Sequence, residues 1–216
     1  MTDQEILACV DHTLLKATAT WDEIAKLCDE AVRYKTASVC IPPCYVKRAR
    51  EDFPGLAVCT VIGFPLGYSA TQSKITEAET ALADGASEID MVVNIAWIKS
   101  GLFGSVEDEI RRIKKSAGDA ILKVIVETCY LTEQEKIHMC EITANAGADY
   151  IKTSTGFGVA GATLEDVALF RTYTGKKVKI KAAGGIKTKE AMIALLEAGC
   201  SRIGSSSAVD LITRQP

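Results

Sequence analysis

Short apolar runs rich in β-branched residues alternate along the chain with amphipathic stretches of helical period. Eight of the runs predict strands: "ACVDHT" at 8–13, "TASVCI" at 36–41, "AVCTVIG" at 57–63, "EIDMVVN" at 88–94, "ILKVIVET" at 121–128, "DYIKTS" at 149–154, "KVKIKAAG" at 177–184 and "SRIGSS" at 201–206. Between them, "WDEIAKLCDEAVRY" places Ile24, Leu27, Cys28 and Ala31 on one helical face behind Thr20, a good N-cap residue. "LTEQEKIHMCEITANAG" has the spacing of a capping box from Thr132 to Glu135. Strand then helix, repeated, implies parallel strands with crossover helices.

A weak internal repeat sharpens that expectation. "LADGASEID", "NAGADYIK" and "LEAGCSRIG" each put a glycine after a helix and a strand two or three residues later. Gly85, Gly147 and Gly199 fit the left-handed position that ends a helix before a short turn into a strand. Eight strands with no GxGxxG after the first favour a closed (β/α)8 barrel over an open dinucleotide-binding sheet. No linker, low-complexity tract or composition shift divides residues 1–216, so a single α/β domain is expected.

Composition narrows the function. The chain has 216 residues, 48% of them hydrophobic, and a formal net charge of -3 with signs interspersed. No basic stripe marks a nucleic-acid partner, which leaves a small molecule. No apolar run reaches the ~18 residues of a membrane span, and "MTDQEILACV" begins with acids rather than a basic leader. The eight cysteines never occur as CxxC and are expected to be reduced core residues of a cytoplasmic protein.

Charges interrupt the strands where a barrel gathers its functional groups. Asp11, Cys40, Asp90, Lys123, Lys152 and Lys181 come from six candidate strands and would converge on one mouth. Singly, Asp11 could cap a turn, Cys40 could pack, and Lys123 could pair with Glu127 along its own face. Asp90, before "MVVN", needs a partner. Lys152 and Lys181 lie on adjacent candidate strands at similar depth. Two ammonium groups about 5–7 Å apart in a partly desolvated site disfavour each other's charged forms, and a neutral lysine attacks carbonyl carbon. Solvation of both at the surface is the alternative.

Other chemistries find less support. The two histidines form no cluster of zinc-ligand spacing; His138 falls in a predicted helix, and His12 is placed on the outer side of its strand or in orienting a loop. No metal or cofactor is expected. "AAGGIKT" after the seventh strand and "IGSSSA" after the eighth supply glycines, hydroxyls and a helix start where this fold usually binds phosphate.

Taken together, "VIGFPLG" at 61–67, "EIDMVVN", "LKVIVET" at 122–128, "IKTSTGF" at 151–157, "KAAGGI" at 181–186 and "IGSSS" at 203–207 resemble the Schiff-base deoxyribose-phosphate aldolases, in family order across nearly the whole chain. The resemblance implies reversible cleavage of 2-deoxy-D-ribose 5-phosphate to D-glyceraldehyde 3-phosphate and acetaldehyde, in deoxynucleoside catabolism. It implies Lys152 as the Schiff-base lysine, Asp90 as a proton-transfer group acting through water, and Lys181 as the neighbouring lysine that tunes Lys152 and exchanges protons. Asp11, Cys40 and Lys123 would complete the polar mouth. Gly156, Gly184, Gly185, Gly204, Ser206 and Ser207 would surround the phosphate. Two positions depart from some family members: Phe157 stands where they carry a lysine, and the chain ends "LITRQP" where they carry a terminal tyrosine. Rival readings are another Schiff-base barrel, acting on a keto-acid phosphate or of transaldolase type, and a catalytically silent sugar-phosphate binder. A homo-oligomer is compatible with all of them.

Overall fold

The structure, a computed structural model, describes residues 1–213. Eight strands run in chain order: β1 (Val10–Thr13), β2 (Ser38–Ile41), β3 (Val58–Ile62), β4 (Glu88–Val92), β5 (Ile121–Ile125), β6 (Tyr150–Lys152), β7 (Lys179–Ala183) and β8 (Arg202–Ser205). Each pairs in parallel with the next, and β8 pairs with β1, so the sheet closes. Every strand lies inside its predicted run; the surplus residues belong to the loops. The helices are α1 (Asp3–Leu7), α2 (Trp21–Tyr34), α3 (Val46–Asp52), α4 (Thr71–Ala83), α5 (Ile95–Lys99), α6 (Phe103–Ala117), α7 (Glu133–Asn145), α8 (Leu164–Tyr173), α9 (Lys189–Glu197) and α10 (Ala208–Thr213). None is long and apolar enough to cross a membrane.

Local chemistry sets the helix ends as the sequence indicates. Thr20 and Glu23 form a capping box at α2, as do Thr132 and Glu135 at α7. At the other ends Gly85, Gly147 and Gly199 take φ of 101°, 78° and 120°. The following amides of Ala86, Ala148 and Cys200 reach back to the carbonyls of Ala81, Thr143 and Leu195, the six-to-one bond of a Schellman motif. α2 ends the same way without glycine, on Lys35 at φ 54°.

Period-two alternation then sorts each strand's side chains between two environments. Ile89 and Met91, Leu122 and Val124, Ile151, Ile180 and Ala182 join the apolar layer between sheet and helices. The alternate residues face the barrel interior, where Asp90, Lys123, Lys152 and Lys181 sit with almost no exposure. Cys40, Cys59 and Val61 form a small separate apolar cluster, with Leu15 and Phe64 against it. His12 takes the outer side of β1, with Nε2 2.8 Å from Oε2 of Glu30 on α2. The hydrophobic layer therefore surrounds the barrel, and charge fills part of its inside.

Candidate active site

The barrel register brings the interior charges level with one another. Asp90 is opposite Lys123 across β4 and β5, and Lys152 is opposite Lys181 across β6 and β7. Asp90 is the hub: its Oδ2 accepts from Lys152 Nζ at 2.7 Å and Lys181 Nζ at 2.6 Å, and its Oδ1 accepts from Lys123 Nζ at 2.9 Å. Asp11 Oδ2 lies 2.5 Å from Lys181 and 3.6 Å from Lys123. Ser38 donates to Asp11 Oδ1 at 2.7 Å, and Arg202 reaches the same oxygen at 2.5 Å.

Each group's charge follows from these neighbours. Burial works against ionising Asp90, but Lys123, Lys152 and Lys181 together hold its carboxyl well below the usual 3.8. Asp11 is lowered likewise, by Lys181, Lys123 and Arg202 against the cost of burial. Burial works against the ammonium of Lys181, but Asp11 and Asp90 outweigh it and raise this lysine well above 10.5. Lys123 is raised as well, against its burial, by Asp90, Cys59, Asp11 and Glu88. Both lysines are thus fixed cations at neutral pH. Lys123 does not pair with Glu127, and Asp11 does not cap a turn: both belong to this network.

Above the network opens a cavity of about 270 Å³, lined by residues that include Thr13, Lys16, Lys152, Gly156, Gly184, Gly185, Gly204 and Ser206. Lys152, 3% exposed, is the one lysine of the three on Asp90 that lines it. Asp11, Cys40, Asp90, Lys123 and Lys181 lie sealed at 0% exposure and do not line it. Ser205 lines the cavity and Ser207 does not; the Ser207 amide donates to Ser205 Oγ at 3.2 Å. Gly204 has a packing task too, since a Cβ there would lie 3.2 Å from Lys181 Cε and 3.0 Å from Ala183 Cβ.

The loop after β6 is held from below. Glu127, in the left-handed conformation at φ 55°, accepts from the Thr155 amide at 3.1 Å and from its hydroxyl. The Thr155 hydroxyl in turn accepts from the Phe157 amide at 3.0 Å. Burial raises the Glu127 carboxyl, opposed by those Thr155 bonds. Phe157 is 56% exposed and meets Phe64 edge-on, ring centres 5.3 Å apart, so its side of the cavity ends in an aromatic pair.

Sequence reasoning missed Glu88, Arg202, Cys59, Lys16 and Ser205. Glu88 contacts Lys123 at 2.5 Å and Arg202 at 3.1 Å, extending the network toward the strand starts. Cys59 donates to Asp90 Oδ1 at 3.2 Å, its thiol kept protonated chiefly by burial. Lys16 and Ser205 complete the list. Cys40, Cys59 and Asp90 bring three donor atoms within 4.8 Å of one another, a group that linear spacing does not reveal. Three ammonium groups already occupy the Asp90 oxygens, so a cation would have to displace one of them.

The closed (β/α)8 barrel thus presents to its cavity a lysine hydrogen-bonded to a buried carboxylate. Comparison with known proteins gives the family. Residues 6–208 match the DeoC/LacD family of aldolases, and the chain belongs to that family. It is 57% identical over 213 residues to a deoxyribose-phosphate aldolase of Clostridium botulinum strain Alaska E43, covering 98% of this chain and 96% of that one. It is 55% identical to the deoxyribose-phosphate aldolase of Clostridioides difficile strain 630, over 98% and 97% of the two chains. Among solved structures, a putative deoxyribose-phosphate aldolase from Coccidioides immitis superposes with TM-score 0.95 at 41% identity, over 99% of this chain and 86% of that one. The tetrameric deoxyribose phosphate aldolase of Aeropyrum pernix gives 0.88 at 29% identity, over 98% and 91%.

Proposed function

We propose that this protein reversibly cleaves 2-deoxy-D-ribose 5-phosphate to D-glyceraldehyde 3-phosphate and acetaldehyde through an imine on Lys152. The supporting observation is that Lys152, of the three lysines on Asp90, both lines the cavity and touches the carboxylate. Its relatives' names supply the substrate; the site supplies a consistent chemistry.

Lys152 first passes a proton to water or Asp90, and the free amine adds to the aldehyde carbon of the open-chain sugar. Loss of water from the carbinolamine gives a protonated imine. Removal of the proton from the hydroxyl on the sugar's third carbon releases an aldehyde there as its bond to the second carbon breaks. The bond's electron pair moves into the imine, giving an enamine instead of an unstabilised carbanion. The enamine takes up a proton at its terminal carbon, and water hydrolyses the resulting imine to acetaldehyde and free Lys152.

Asp90 is the carboxylate in contact with Lys152, and, sealed from the cavity itself, it exchanges protons at that lysine, which opens onto the cavity. Lys181, held as an ammonium by Asp11 and Asp90, opposes a second positive charge on Lys152. Its raised proton affinity suits this fixed-charge task better than shuttling protons. The glycine backbones at 156, 184 and 185, with Gly204, Ser205 and Ser206, receive the phosphate in the same cavity.

Borohydride reduction in the presence of acetaldehyde tests the nucleophile. A single two-carbon adduct on Lys152, lost together with sugar-phosphate cleavage in Lys152→Ala, is expected by intact mass and peptide mapping. An adduct on Lys181, or an active Ala variant, would overturn the assignment. A barrel that binds the sugar phosphate without cleaving it would give no adduct at all.

A further inference from the structure

The phosphate end of the cavity has a backbone floor but needs a countercharge. Gly156, Gly184 and Gly185 line it at φ of 88°, 82° and 72°, so backbone rather than side chains borders it there. A sugar phosphate brings close to two negative charges at neutral pH, beyond what uncharged amides neutralise. Two cationic side chains line this cavity among the described residues, Lys152 and Lys16. Lys152 is at the reacting end and is consumed as an imine. The Phe157 ring is turned onto Phe64, so the loop after β6 contributes no cation there. Lys189, after β7, is bound to Asp3 at 2.5 Å.

Lys16 is free to take the charge. It stands at the apex of the loop between β1 and α2, exposed and in no salt bridge among the described residues. It acts on Glu23 only at longer range, and that carboxylate is already engaged by the Thr20 amide at 2.8 Å and hydroxyl at 3.0 Å. The loop itself is tied down on both sides of Lys16. The Leu14 amide donates to the Cys40 carbonyl at 3.0 Å, and the Tyr45 hydroxyl donates to the Ala19 carbonyl at 2.9 Å. A lysine stem from a fixed loop apex can bring its ammonium to the glycine floor without ordering the whole segment.

We propose that Lys16 supplies the cation that closes on the substrate's phosphate, making it the side chain that separates phosphorylated from unphosphorylated sugars. This rests on the sugar-phosphate aldolase reading, but its test is separable from it. Steady-state kinetics of the wild type, Lys16→Gln and Lys16→Arg are measured with 2-deoxyribose 5-phosphate and with 2-deoxyribose. In Lys16→Gln the ratio of kcat/KM for the two sugars should fall about tenfold, through KM for the phosphorylated one, the scale of one charge-assisted contact. The wild-type KM should rise with potassium chloride and that of the Gln variant much less, while Lys16→Arg keeps most of the discrimination. Calorimetric titration with inorganic phosphate reads the same site without turnover and should show weaker binding to Lys16→Gln. An unchanged ratio together with unchanged phosphate affinity would overturn the role of Lys16. A wild type that cleaves neither sugar would refute the aldolase reading, and the phosphate titration would still decide for or against Lys16.

Discussion

Asp90→Asn separates catalysis from stability because one carboxylate serves both. The substitution keeps the shape of the side chain and removes its charge. Asp90 accepts hydrogen bonds from Lys123, Lys152 and Lys181 and from the Cys59 thiol. An asparagine oxygen can replace one side of this set; its NH2 group would face an ammonium. Removing one partner of a buried ion pair costs about 3–5 kcal/mol. Lys123 retains Glu88 and Asp11, Lys181 retains Asp11, and Lys152 can turn toward the cavity. A loss near the lower bound, about 3 kcal/mol at pH 7, is therefore expected in urea unfolding. Turnover should fall about 100-fold or more, the scale of a lost general acid–base group.

The pH dependence gives the sign. Asp90 is held well below 3.8 when folded and titrates near 3.8 when unfolded, so the unfolded chain takes up its proton first as pH falls. Its contribution is complete above about pH 5, one unit above the unfolded value, and is lost as pH drops through 3.8 toward the folded value. The stability gap between wild type and Asp90→Asn should thus narrow progressively below pH 4. A folded Asn variant with near-normal turnover would return Asp90 to a structural role. A gap that stays constant from pH 7 to pH 3 would refute the charge argument.

Two further perturbations probe separate parts of the molecule. Lys181→Leu removes a fixed cation beside Lys152, so the acid limb of the acetaldehyde-dependent borohydride-trapping rate should move to higher pH, with partial recovery in base; an unmoved or acid-shifted limb would leave Lys181 without an electrostatic task. On the outside of the barrel, Lys74 is buried between α4 and α6, 2.9 Å from Glu109 and 2.8 Å from the Val92 carbonyl, so Lys74→Met should cost about 3–5 kcal/mol in urea unfolding while Lys74→Met with Glu109→Leu recovers most of it; equal losses in both variants would show that the charge left unpaired is not what destabilises the single one.

The fold was legible because its signals are local. Strand alternation, capping boxes at Thr20 and Thr132, and glycines at 85, 147 and 199 each depend on a few adjacent residues. The lysines and Asp90 were legible because a charge inside an apolar run is conspicuous. Glu88 and Arg202 were not, since each stands at the start of its predicted run, where a charge reads as solvated; only barrel closure carries them inward to Lys123 and Asp11. Cys59 was hidden for the opposite reason, because a cysteine among valines and a threonine reads as packing. Glu127 was quoted within a motif, but its partner Thr155 is 28 residues away and their contact depends on the left-handed backbone at 127. Lys16 lies in a loop, where a lysine carries no signal until the cavity it borders is known.

Three lysines around one carboxylate raise the question of which is the nucleophile, and charge balance with access answers it. Among the described residues the interior holds four cationic side chains, Lys123, Lys152, Lys181 and Arg202, and three carboxylates, Asp11, Glu88 and Asp90. Lys123 contacts all three carboxylates; Lys181 and Arg202 contact two each. Lys152 pairs with Asp90 alone among the described residues. An ammonium clamped between several buried carboxylates is stabilised in its charged form and has no lone pair to offer. The lysine with a single carboxylate is also the one that borders the cavity, so the proton it gives up can leave through water and the carbonyl can approach. Burying the other charges carries a desolvation cost, which their mutual pairing offsets, and the result is an ordered difference between lysines of identical chemistry. Moving one carboxylate to a second contact with Lys152 would erase that difference, even with every catalytic side chain still present.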